Sequence, residues 1–124
     1  MPATFAELYG GSLKEVFVEH ARRDLEQGAD IFMSADTYAE QGKPDFTLAY
    51  LLLLQVDDMV KRDILAHAYE RRAYLSDEKA EELDKQFHRP FPLVKLEAHK
   101  DRMAAQQVRQ GRKIRREIKP LNVN

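Results

Sequence analysis

Apolar positions recur at steps of three and four along most of this chain, the spacing of helices that bury one face. Thr4 to Tyr9 is long enough for one turn of helix, and Gly10-Gly11 then breaks the chain. Ser12-Leu13-Lys14-Glu15 has the pattern of a capping box at a helix start. Behind it Leu13, Val16/Phe17, Ala21, Leu25, Gly28, Phe32, Ala35 and Ala39 form one stripe, which predicts a single long helix ending near Gln41-Gly42. Gly28 falls on that stripe, as a small residue admitting a neighbouring helix or as the site of a bend.

Lys43-Pro44-Asp45 reads as a turn with Asp45 as N-cap. The next helix carries Phe46, Ala49 to Leu54, Val56, Met59, Val60, Ile64, Leu65, Ala68 and Tyr69. Its four consecutive leucines, Leu51 to Leu54, are expected to be the most buried segment. Ser76, followed by Asp77 and Glu78, reads as a further N-cap for a helix running to about Phe87. His88-Arg89-Pro90-Phe91-Pro92 is a rigid break. A last helix is expected from Leu93 to about Ile118, its apolar stripe of Leu93, Leu96, Met103, Ala104 and Val108 thinning toward Ile114 and Ile118. The sum is an all-α, up-and-down bundle of about four helices with an extended basic C-terminal helix. Residues 1–11 form a lead-in, and the basic tail over 109–124 either projects from the bundle or frays.

Length and composition agree with that outline. The 124 residues suit one domain with a core of its own, and glycine and proline are few. The absence of cysteine excludes disulfides and thiolate zinc sites and suits a cytoplasmic protein. Met1 to Glu7 lacks the basic and apolar regions of a signal peptide, and the run from Leu48 to Leu54 is too short to span a bilayer.

Charge changes the picture more. Lys100, Arg102, Arg109, Arg112, Lys113, Arg115, Arg116 and Lys119 face only Asp101 and Glu117 in the last 25 residues, a local charge of +6. The rest of the chain then carries −7 within a total of −1. Such polarity suits a basic surface for RNA or an acidic protein, or a basic helix lying on an acidic face of its own bundle or of a dimer mate. His88 and His99, with Arg89 and Lys100, are further positions suited to phosphate contact.

No nucleophile motif, phosphate-binding glycine loop or acid/base carboxylate pair is recognisable, and no cofactor is implied. His20/Asp24 and Asp63/His67 each place an imidazole and a carboxylate four residues apart. Metal ligation is one use of that spacing, but ion pairing is the commoner one, and no metal is assigned. Asp58 and Arg62 are spaced for an ion pair along one helical face. The most specific string is Arg62-Asp63-Ile64-Leu65-Ala66-His67-Ala68-Tyr69. An arginine for phosphate, a histidine for proton transfer and a tyrosine to stack or hydrogen-bond would suit metal-independent RNA cleavage. Residues five apart on a helix diverge, so a cleft or dimer interface would have to bring them together. The plainer reading is a charged arginine, a half-buried histidine and a tyrosine at the core's edge.

That string resembles the Arg-x4-His-x-Tyr motif of HEPN-superfamily ribonuclease toxins, which are all-helical dimers. The resemblance implies Arg62 and His67 at a catalytic centre with Tyr69 as the motif tyrosine. In a second registration, Gly42 to Tyr50 and Gln55 to Leu65 look like the second-helix pattern of HEPN domains, with Asp58 and Arg62 in place of Glu and Lys. That registration puts Arg62 in a structural helix, and the later chain offers only His88 and His99. A rival likeness, of Ala35 to Gly42 with Ala49-Tyr50, is to one hairpin of tetratricopeptide or microtubule-interacting-and-transport modules. The two families imply different roles: association with RNA, or docking and dimerisation between proteins.

Overall fold

The computed structural model describes residues 3–115, and all of its regular structure is helical. The helices are α1 (Phe5–Tyr9), α2 (Glu15–Glu26), α3 (Ile31–Glu40), α4 (Pro44–Leu51), α5 (Asp58–Phe87) and α6 (Pro92–Arg109). The all-α class stands, but the helices are divided differently: the first long helix is split in two, the second stops at Leu51, and α5 runs through the expected break at Ser76.

Each added break has a local cause. Thr4 caps α1 by accepting from the Glu7 amide, and the start of α1 is tied to α5 where the Phe5 amide donates to Asp58 Oδ2 at 3.1 Å. Asp58 and Arg62 form no ion pair among the described residues, and Arg62 Nε has no hydrogen-bond partner there. Helix α2 starts after Lys14 without a side-chain cap, so Ser12 forms no capping box. The expected long helix is two: Gly28 adopts φ +81°, the Ala29 amide closes on the Asp24 carbonyl, and Asp30 caps α3 through the Met33 amide. Gly28 is exposed with open space around it, so it ends a helix rather than packing one.

Pro44 occupies the first turn of α4 behind Lys43, which displaces Asp45 from the N-cap into that turn. Tyr50 and Leu51 are fully buried, but α4 stops at Leu51. Three-residue turns from Leu53 to Tyr50 and from Leu54 to Leu51 carry the chain out, leaving Leu52, Leu53 and Leu54 only partly covered. Ser76 lies inside α5, which runs unbroken for 30 residues. The expected break at the prolines is present, with His88 left-handed at φ 54°. Helix α6 ends at Arg109 because Gly111 takes φ +70° and the Arg112 amide returns to the Gln107 carbonyl. The basic end is therefore non-helical over residues 112–115, and Ile118 lies outside the described residues.

The core gathers Phe5 and Tyr9 of α1, Ala21 of α2, Ile31 and Ala35 of α3, Leu48 to Leu51 of α4, Leu65, Ala66 and Tyr69 of α5, and Ala104, Ala105 and Val108 of α6. So many alanines let helix axes approach closely, and α5 with α6 makes the most extensive helix pair. No residue between Tyr69 and Ala104 joins that cluster; Ala73, Ala80 and Ala98 are buried apart from it, and the outer halves of α5 and α6 form a two-helix arm. At its base Arg72 donates to both oxygens of the buried Asp101 at 2.8 Å, while its guanidinium lies 5.4 Å from the Tyr69 ring centre.

Candidate anion-binding surface

Arg62, His67 and Tyr69 all lie on α5, but the helix turns them to different neighbours. Seven residues apart, Arg62 and Tyr69 share a side. Both act on the buried hydroxyl of Tyr9: burial raises the Tyr9 pKa, Arg62 pulls it down and Tyr69 adds to the rise. Arg62 Nε is buried without a hydrogen-bond partner among the described residues, and the guanidinium lies against Gly111. His67 faces α3, with Nε2 2.7 Å from Glu40 Oε2. Arg71 reaches the Glu40 carbonyl at 3.0 Å. The His67 hydrogen bond, with Arg71 beside it, holds the Glu40 carboxyl below the usual carboxylate range. The structure thus brings Arg62 and Tyr69 to one locality and His67 to another.

The two histidine–carboxylate pairs also diverge. Asp63 accepts from Arg109, leaving His67 to Glu40. Asp24 accepts the Tyr50 hydroxyl proton, and His20, 3.8 Å from that carboxylate, shares a 3.1 Å hydrogen bond with Tyr38. Tyr38 stacks on both Phe46 and Tyr50, making an aromatic cluster between α2, α3 and α4. Burial first, then Asp24, pushes the Tyr50 phenol far above the ordinary tyrosine range. Among the described residues, no group of three or more histidine or acidic side chains is placed to hold a metal. His88 and His99 are exposed.

The basic residues divide into two sets. Lys100 pairs with Glu97 at 3.1 Å, Arg102 with Asp77 at 2.6 Å, and Arg109 with both Asp63 at 3.1 Å and Glu70 at 2.5 Å. The Lys100 pair lies within α6, whereas Arg102 and Arg109 reach carboxylates of α5. Arg112, Lys113 and Arg115 follow the end of α6, and none has a carboxylate partner among the described residues. With Gln107 they surround an open depression of about 410 Å³. The segment is held by its backbone: Tyr9 donates to the Arg112 carbonyl at 2.7 Å, and the Arg115 amide donates to Gln107 Oε1 at 2.9 Å. Arg116 and Lys119 lie outside the described residues.

Sequence reasoning missed Tyr9 as the anchor of this segment and Asp101 as the clasp for Arg72. Asp101 left a trace, being an acid placed three residues from both Ala98 and Ala104 on the buried side of its helix. Tyr9 gave none, since its partner is a backbone carbonyl 103 residues away. No family model, curated protein or solved structure matches the chain. No helix among the described residues is long and apolar enough to cross a membrane.

Proposed function

We propose that this helical bundle associates with a polyanion, single-stranded RNA being the class to test, through the segment that follows α6. The observation that carries the reading is the division of the basic residues. Lys100, Arg102 and Arg109 are spent on carboxylates of the chain, whereas Arg112, Lys113 and Arg115 stand together without one among the described residues. Cations fixed side by side and not neutralised gain the most from phosphates, because binding releases the counterions condensed on the nucleic acid. The proposed role is binding rather than cleavage. His67, the proton carrier that the HEPN-like motif would require, is hydrogen-bonded to Glu40 away from Arg62.

Fluorescence anisotropy of a labelled single-stranded RNA, titrated with the full chain at several salt concentrations, tests this. Three phosphate contacts predict a log–log salt slope of roughly −2. Replacing Arg112, Lys113 and Arg115 by alanine should flatten that slope, whereas Arg102→Ala should leave it nearly unchanged. No RNA binding even at low salt ends the proposal.

A second reading, a homodimerising or protein-docking module, is favoured by the arm. Leu93 is 75% exposed and Phe87 52% exposed on helices that bury little else there. Sedimentation of wild type against Phe87→Glu/Leu93→Glu decides it: a monomer in both gives that reading no self-association.

A further inference from the structure

A cavity of about 310 Å³ opens between α1, the loop before α2, the first turn of α4, the middle of α5 and the segment after α6. Its apolar wall is Leu8, Leu13, Phe17, Leu48 and Ile114. Ser12, Lys14 and Lys113 supply polar groups, and the Tyr9 and Tyr69 side chains also line it. Neither lysine has a carboxylate partner among the described residues. Asp45 is the one acid in the lining. The cavity thus offers apolar surface and two lysines against one carboxylate. A bare phosphate would leave the apolar wall unused, and a neutral hydrocarbon would leave both lysines unpaired.

We propose that this cavity binds a small amphipathic anion, a carboxylate or phosphate monoester on an aliphatic body. The body lies against Leu8, Leu13, Phe17, Leu48 and Ile114, and the anionic head is held by Lys14 and Lys113. The site is separate from the proposed polyanion surface except that Lys113 serves both, and Lys14 belongs to the cavity alone.

Amide-resolved NMR titration of the full chain with octanoate, octyl phosphate, octanol and octylamine, below micelle-forming concentrations, tests the proposal. Octanoate and octyl phosphate should shift amides within residues 8–17, 45–48 and 113–114. Octanol should bind about tenfold more weakly, the worth of one charge-assisted hydrogen bond. Lys14→Ala should weaken octanoate by a similar factor without changing RNA affinity. Equal affinity for octanol, binding of octylamine, or octanoate binding untouched in Lys14→Ala/Lys113→Ala would each overturn the proposal. Loss of RNA binding with octanoate binding intact would count against the polyanion reading alone.

Discussion

Tyr50 is held far from its free chemistry. It is fully buried, stacked on Tyr38, and donates its hydroxyl to Asp24. Ionising it would bury a second negative charge beside the first, so the fold holds the phenol protonated well above the ordinary tyrosine range. A raised pKa stabilises the fold fully below the unfolded value, and that stability is lost as pH climbs through the folded one. Alkaline titration should therefore show a phenol that ionises late, together with loss of helical circular dichroism, and Tyr50→Phe should remove that late step. An unchanged titration curve in Tyr50→Phe would show that the Asp24 hydrogen bond does not govern it. His20 and Asp24 were legible as a pair from their spacing, but their true partners were not. Tyr38 and Tyr50 come from other helices, and helical periodicity carries no information about which helices meet.

Helix type was legible throughout, and helix ends were legible where proline or glycine stood at a change of pattern, as at Gly10-Gly11, where α1 ends. The Gly42 and His88–Pro92 breaks fall where expected, but those at Gly28, after Leu51 and at Gly111 do not. At Gly28 and after Leu51 the residues on both sides face one core, so apolar spacing continues across the turn. Gly28 and Gly42 separate two demands on such turns. Both have positive φ, but a Cβ at Gly28 would meet open space, whereas one at Gly42 would sit 2.9 Å from the Arg72 backbone nitrogen. Gly28→Ala should cost about 1 kcal/mol, from the left-handed backbone alone. Gly42→Ala should cost at least about 1 kcal/mol more, because α5 must move away from the α3–α4 turn. Urea unfolding of the two variants measures the difference. Equal losses would mean that the turn yields without disturbing α5.

Across the whole molecule, the core and the cations after α6 lie toward one end of α6, and the arm lies toward the other. The core ends at Tyr69 and Ala104, and the Arg72–Asp101 clasp closes it. Beyond it the arm buries Ala73, Ala80 and Ala98, covers Leu83, Val94 and Leu96 only in part, and carries the exposed Arg102–Asp77 pair. An exposed ion pair contributes less than about 1 kcal/mol, and alanines with partly covered leucines and a valine bury less area than the core does. The arm should thus open without the core. Hydrogen exchange is expected to be faster for amides of residues 78–87 and 95–100 than for residues 65–69 and 104–108, by about tenfold for each 1.4 kcal/mol separating local from global opening. A partner seated on Phe87 and Leu93 would slow exchange in the arm, whereas RNA on residues 112–115 would leave it fast, since those cations lie beyond the opposite end of α6. Arm and core exchanging at one rate would mean that the clasp transmits the core's stability outward, making Asp101 the residue on which the arm's order depends.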